Sequence, residues 1–140
     1  MKNVNIANDP KTVAHRAWAK LAVGDMASMA DECSDDVVWR MMGLEKFLPG
    51  GGLYKGKAAV AEFMRMGPQL YDFKNLKLTI TATYVDGPYV IMEFTMDTPV
   101  LNGRHHFDER IIMLKIIDGK ICAAHEYCST LKVKTDLIDP

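Results

Sequence analysis

The chain has 140 residues, 49% hydrophobic and 25% charged, which suits one soluble globular domain over residues 1–140 with a sizeable core and leaves little room for a second. Its 17 basic residues nearly balance 18 acidic ones, so no global field selects nucleic acid or an anionic membrane as a partner. No apolar run approaches the ~18 residues of a membrane span, and the opening MKNVNIANDP has no apolar signal core, so a cytoplasmic protein is expected.

Asp9 and Pro10 open a helix, with Asp9 capping free amides, Pro10 in the first turn, and Val13, Ala14, Ala17, Trp18 and Leu21 recurring on one face until Gly24 stops it. Met26, Met29 and Ala30 mark a short second helix. Val37 to Met42 then reads as a β-branched and aromatic strand. GLEKFLPGGGLYKG is the long irregular stretch, and its consecutive glycines lack the G-x-x-x-x-G-K-[ST] spacing of a phosphate loop, which leaves a loop or a lip beside a cavity mouth. Gly56-Lys57 starts a third helix carrying Ala59, Val60, Phe63 and Met64 on its apolar stripe, and Pro68 interrupts it.

From Leu76 the period falls to two. Strands are predicted for Lys77–Val85, Tyr89–Thr98, Arg104–Ile117 and Lys120–Ser129, separated by Asp86-Gly87-Pro88, Asn102-Gly103 and Asp118-Gly119. Helices followed by a meander of long strands is an α+β plan, with the helices covering one face of a bent sheet. Cys33, Cys122 and Cys128 show neither a CxxC nor a Cys/His metal spacing, so three reduced thiols are expected, with no metal and no disulfide framework.

Alternate side chains of a strand share a face. In the third long strand, His106, Asp108, Arg110, Ile112 and Leu114 fall on one side and His105, Phe107, Glu109, Ile111, Met113 and Lys115 on the other. In the last strand Glu126 lies between Cys122, Ala124 and Cys128, a lone carboxylate among small apolar neighbours. His106, Asp108 and Arg110 are expected to point inward, and His105 and Glu109 outward. The Met-rich set, including Met41 and Met64, is read as core and pocket lining.

The words Y.GK.AV..F and NGR..FDERIIMLKIIDGKI followed by EY, in the order helix, helix, DDVVW strand, loop, helix, strands, resemble the nuclear transport factor 2-like superfamily, especially its SnoaL-like and ketosteroid isomerase-like members. The resemblance covers nearly the whole chain. It implies a cone: a cystatin-like α+β roll in which a curved antiparallel or mixed sheet wraps around three N-terminal helices and an apolar cavity opens at one end. It also places Glu93, Thr95, Asp108, Arg110 and Glu126 toward the cavity, with Trp39 and Met41 on the first strand. Tyr54, Phe63, Ile112 and Cys128 complete the expected lining. Where epoxide hydrolases of this fold carry an Arg and an Asp on an earlier strand and a Tyr and an Asn on the first, this chain has Glu93, Thr95, Trp39 and Met41, a departure that argues against that machinery.

Three carboxylates and one arginine remain: Glu93, Asp108, Glu126 and Arg110. In a dry cavity they cannot all ionise cheaply, so one carboxyl should titrate high and serve as acid or base; ketosteroid isomerase is a known instance of such tuning on this fold. The expected function is a cofactor-independent isomerase, aldol cyclase or lyase acting on a small apolar carbonyl compound. Glu126 or Asp108 would move the proton, and Arg110, Trp39 or His106 would stabilise the oxyanion. The alternatives are a non-catalytic domain that binds an apolar ligand in the same cavity, and a buried ionic cluster in which Arg110 only neutralises Asp108 and Glu126. A homodimer is expected through an outward stripe of Val90, Met92, Phe94, Met96, Ile111 and Met113.

Overall fold

The computed structural model describes residues 5–140; residues 1–4, which the expected single domain includes, lie outside the described residues. The chain runs α1 (Pro10–Ala22), α2 (Met26–Ala30), β1 (Cys33–Met41), β2 (Leu53–Lys55), α3 (Lys57–Met64), α4 (Gly67–Leu70), β3 (Lys77–Asp86), β4 (Tyr89–Pro99), β5 (His105–Ile117), β6 (Lys120–Tyr127) and α5 (Thr130–Val133), ending in a π-helical turn, Lys134–Ile138. The strands form one curved, open six-stranded sheet in the order β2-β1-β6-β5-β4-β3. All neighbours are antiparallel except β1 and β6, so the sheet is mixed.

Local chemistry sets the boundaries. Asp9 accepts from the Thr12 amide ahead of Pro10 and starts α1, whose buried face is Val13, Ala14, Ala17 and Trp18. The β5–β6 hairpin turns at Asp118 (φ 51) and Gly119 (φ 76), left-handed at both positions as a type I′ turn requires. The loop after β1 contains more order than its glycines suggested. Pro49–Gly52 make a tight turn, and Leu53–Lys55 add an edge strand beside β1. Gly52 is required there, because a Cβ on it would lie 2.8 Å from the Met41 carbonyl.

The inner face is built from alternate residues. Val37, Trp39 and Met41 on β1 and His106, Asp108, Arg110, Ile112 and Leu114 on β5 are buried. On β4 the buried set is Val90, Met92, Phe94, Met96 and Thr98, while Glu93 is exposed and Thr95 only partly covered. This reverses the expected facing of β4, for a physical reason: burying a large apolar side chain gains roughly 1.5–3 kcal/mol, whereas burying an unpaired carboxylate costs more than that. The β4–β5 register agrees, with Phe94 opposite Arg110 and Glu93 opposite Ile111. A register shift between Lys115 and Ile116 also changes β6, so that Ile121, Ala124 and Glu126 face inward and Cys122 does not share their side.

Val90, Met92, Phe94 and Met96 therefore belong to the core, and the outward stripe consists of other residues. Tyr84 is opposite Ile91, Ile91 opposite Met113, and Ile111 opposite Tyr127. Inside, Trp18 of α1 stacks on Trp39 of β1 with ring centroids 6.3 Å apart and meets Phe94 edge-on at 5.5 Å, which fixes α1 across the sheet. Among the described residues, no helix is long and apolar enough to cross a membrane. Cys33, Cys122 and Cys128 are free thiols.

Candidate functional site

Between the inner face and the helices lies a cavity of about 130 Å³. Its walls are mainly apolar: Trp39 and Met41 from β1, Phe63 and Met64 from α3, and Phe94 and Met96 from β4. Leu21, Met26, Leu44, Leu48 and Leu70 extend this surface. Val133 and Leu137 close another side from the C-terminal segment. The ionisable groups at the wall are Arg110, Glu126 and Tyr71.

Arg110 is the hub of the polar end. Its Nε donates to Asp108 Oδ2 at 3.1 Å and its Nη1 to Glu126 Oε2 at 3.2 Å. Its Nη2 is 3.4 Å from His106 Nε2, and His106 Nδ1 lies 2.8 Å from Asp136 Oδ2 in the π-helical turn. Asp108 is better served than Glu126, because the Ser129 amide also donates to both of its oxygens, at 3.1 and 3.3 Å. Among the described residues, the Glu126 carboxylate accepts a hydrogen bond from Arg110 alone. Strand geometry explains the cluster: His106, Asp108 and Arg110 alternate on β5, and Glu126 on β6 is opposite Ile112, one inward step further along.

One guanidinium among two buried carboxylates splits their proton affinities. Burial pushes the Glu126 carboxyl up, and Arg110, shared with Asp108, does not pull it back to the ordinary range. Burial also acts on Asp108, but His106, Arg110 and the Ser129 amide outweigh it and hold Asp108 below its ordinary value. For Arg110, burial acts downward and is overcome by Glu126, Tyr71, Cys128 and Asp108, so its charge is held firmly. Burial raises the Tyr71 hydroxyl, opposed by Arg110 nearby, and raises the Cys128 thiol to about 11, so Tyr71 stays a donor and Cys128 a neutral thiol.

Of the expected residues, Glu126, Arg110, Trp39, Met41 and Phe63 meet at the cavity wall. Asp108 and His106 are fully buried behind Arg110 and do not line it. Ile112 is a core residue on the same strand face, and Cys128 packs beside Met41, Leu44 and Val133. Tyr54 stacks on the outer side of Phe63 at 4.3 Å and donates to the Pro49 carbonyl at 2.7 Å, so it supports the wall without forming it. Glu93 and Thr95 are on the opposite side of the sheet. Trp39 contributes its ring, while its indole N–H is buried without a partner among the described residues.

Tyr71 and the C-terminal segment did not emerge from the sequence. Tyr71 sits in irregular chain after α4, held by an isolated bridge to Val100, and its ring packs 5.8 Å from His106. Among the described residues, no group of three or more His, Cys, Asp or Glu side chains is arranged to hold a metal ion.

The model of the SnoaL-like domain matches residues 14–124. The chain belongs to the SnoaL-like domain family. Solved structures share the fold of this SnoaL-like chain. An NTF2-like protein of unknown function from Burkholderia pseudomallei superposes with TM-score 0.81 at 16% identity, covering 93% of this chain and 98% of that one. A Bacillus subtilis protein proposed to be an isomerase gives 0.79 at 23% identity, with 89% and 88% covered. An LEH-like epoxide hydrolase of M. tuberculosis gives 0.68 at 19%, with 91% and 90% covered. Among curated proteins, none matches this SnoaL-like chain.

Proposed function

We propose that this SnoaL-like protein moves a proton beside the carbonyl of a small apolar compound without a cofactor, as an isomerase, aldol cyclase or lyase. The observation that carries this is a carboxyl with raised proton affinity, Glu126, set in an apolar wall beside a fixed positive charge. Glu126 as carboxylate takes the α-proton, the C–H electron pair becomes the carbon–carbon double bond while the carbonyl π pair moves onto oxygen, and Arg110 with the Tyr71 hydroxyl stabilises the resulting enolate. Returning the proton to another carbon completes an isomerisation; attack of the enolate on a second carbonyl, or loss of a β-leaving group, gives the other two outcomes. Raising the base toward neutrality strengthens it, which is what burial does here. Asp108 and His106 hold Arg110 in place and are not assigned to proton transfer.

The test needs no knowledge of the product. Enolisable ketones incubated with the protein in deuterated water should exchange α-hydrogen faster than buffer controls, as read by proton NMR, and Glu126→Gln should return exchange to background. Full exchange in the Gln variant would remove Glu126 from the mechanism. A non-catalytic binding domain is the second reading, favoured by the mostly apolar wall and by the bond that ties Glu126 to Arg110. Ketone binding with no exchange would select it.

We also infer a homodimer through the outer sheet face. Tyr84, Ile91, Ile111, Met113 and Tyr127 adjoin across four strands, and Ile111 and Tyr127 are 42% and 46% exposed, an apolar row that the same face of a second copy would cover.

A further inference from the structure

We infer that the C-terminal segment is the size filter of the cavity, limiting the enclosed ligand to a carbonyl compound with a single ring or an equally short chain. The carbonyl part rests on the function proposed above; the size limit does not. An apolar cavity of about 150 Å³ holds one benzene, and the space here is about 130 Å³. A fused bicyclic or tetracyclic skeleton could not be enclosed there unless a wall moved aside.

The wall that sets this limit is the segment after β6. Ser129 caps α5 through the Lys132 amide, and the helical turns that follow bring Val133 and Leu137, four residues apart, onto the same side at the cavity. Lodged there, they occupy space that the curved sheet would otherwise leave open. The segment is anchored at several points. Arg104 Nη1 donates to the Thr135 and Asp139 carbonyls at 2.8 and 2.7 Å, and Asn102 Nδ2 to the Asp136 carbonyl at 2.9 Å. The Asp136 carboxylate meets the buried His106 ring, which also touches Arg110. The cap is thus fastened to the polar cluster itself, and a ligand large enough to displace Leu137 would also strain the contacts that hold Arg110.

The experiment compares cyclohexanone, decalone and a saturated steroid ketone on the full-length protein. Binding is followed by tryptophan fluorescence, since Trp39 lines the cavity and stacks on Trp18, the other tryptophan. Cyclohexanone should bind roughly tenfold or more tighter than the two larger ketones. Leu137→Ala should improve decalone binding by about the same factor, while Leu131→Ala, an exposed position of the same segment, should change neither. If Leu137→Ala fails to fold, Leu137→Phe takes its place and should abolish cyclohexanone binding in a protein that still melts cooperatively.

Equal binding of the steroid ketone and cyclohexanone by the wild type, or an unchanged size preference in the folded Leu137 variant, would overturn the inference. Size-selective binding without α-hydrogen exchange supports the filter and counts against the proposed reaction. Exchange on the steroid ketone does the opposite, and failure to bind any of the three ketones sinks both.

Discussion

Arg110 reaches Glu126 through one nitrogen and Asp108 through another, at 3.2 and 3.1 Å, so a single positive charge is divided between two buried carboxylates with unequal support. The two should therefore titrate on opposite sides of their ordinary values. Carbon-13 NMR of the side-chain carboxyls should place Glu126 above 4.5 and Asp108 below 3.8. Glu126 titrating below Asp108 would show that Arg110 serves it first, and the proposed base would lose its basis.

Replacing Arg110 with Met removes the shared counter-charge and leaves two carboxylates buried. Denaturant melts at neutral pH should show a loss of roughly 3–5 kcal/mol, as for other broken buried ion pairs. The loss should shrink as pH falls and the abandoned carboxyls take up protons. A variant as stable as the wild type at neutral pH would mean that the cluster is solvated.

The pH dependence of Glu126→Gln has a definite sign. The folded state binds a proton on Glu126 more tightly than the unfolded chain, so this group adds stability at low pH and loses it as pH rises through the raised folded value. The stability of the wild type relative to the Gln variant should thus grow as pH falls from neutrality and level off below 4.5. Asp108→Asn should trend the other way, because the depressed carboxyl stabilises above 3.8 and loses its effect as pH falls through its lower folded value. Urea melts across a pH series check both, and two parallel trends would refute the unequal sharing of Arg110.

Sedimentation at micromolar concentration should give a dimer, and Ile111→Lys with Tyr127→Lys should give a folded monomer. These side chains project from adjacent strands on the outer face, so the double variant tests that surface without touching the cavity. A wild-type monomer, or a double variant that stays dimeric, would move the interface elsewhere or abolish it.

Alternation made much of β5 legible. His105, Phe107 and Glu109 are exposed between the buried His106, Asp108 and Arg110, because a long paired strand leaves each side chain only two directions. In β4 the same rule applies, but alternation alone does not say which of its two rows meets the helices. Phe94 opposite Arg110 fixes the true side, and only the neighbouring strand's register could reveal it. Cys122 departs from the face that alternation expects for it because a register shift breaks the period, a local irregularity that alternation does not foresee. Tyr71 belongs to no periodic element, so no pattern pointed to it. For the last segment there was a signal: Ser129 as a cap, with Val133 and Leu137 at helical spacing.

The parallel pairing of β1 with β6 joins Cys33 to Ile121 and Met41 to Glu126, partners from opposite ends of the chain. Closing so long a loop costs entropy before any contact repays it, so this seam should form late in folding. During synthesis β1 emerges early and must wait for β6, with β2 the only strand at hand to pair with it. Glu126 arrives with β6 itself, and the segment carrying Leu137 comes later still. The cavity therefore acquires its acidic group and its cap in the closing step, and a chain interrupted before β6 would carry a half-built, adhesive sheet with no working pocket.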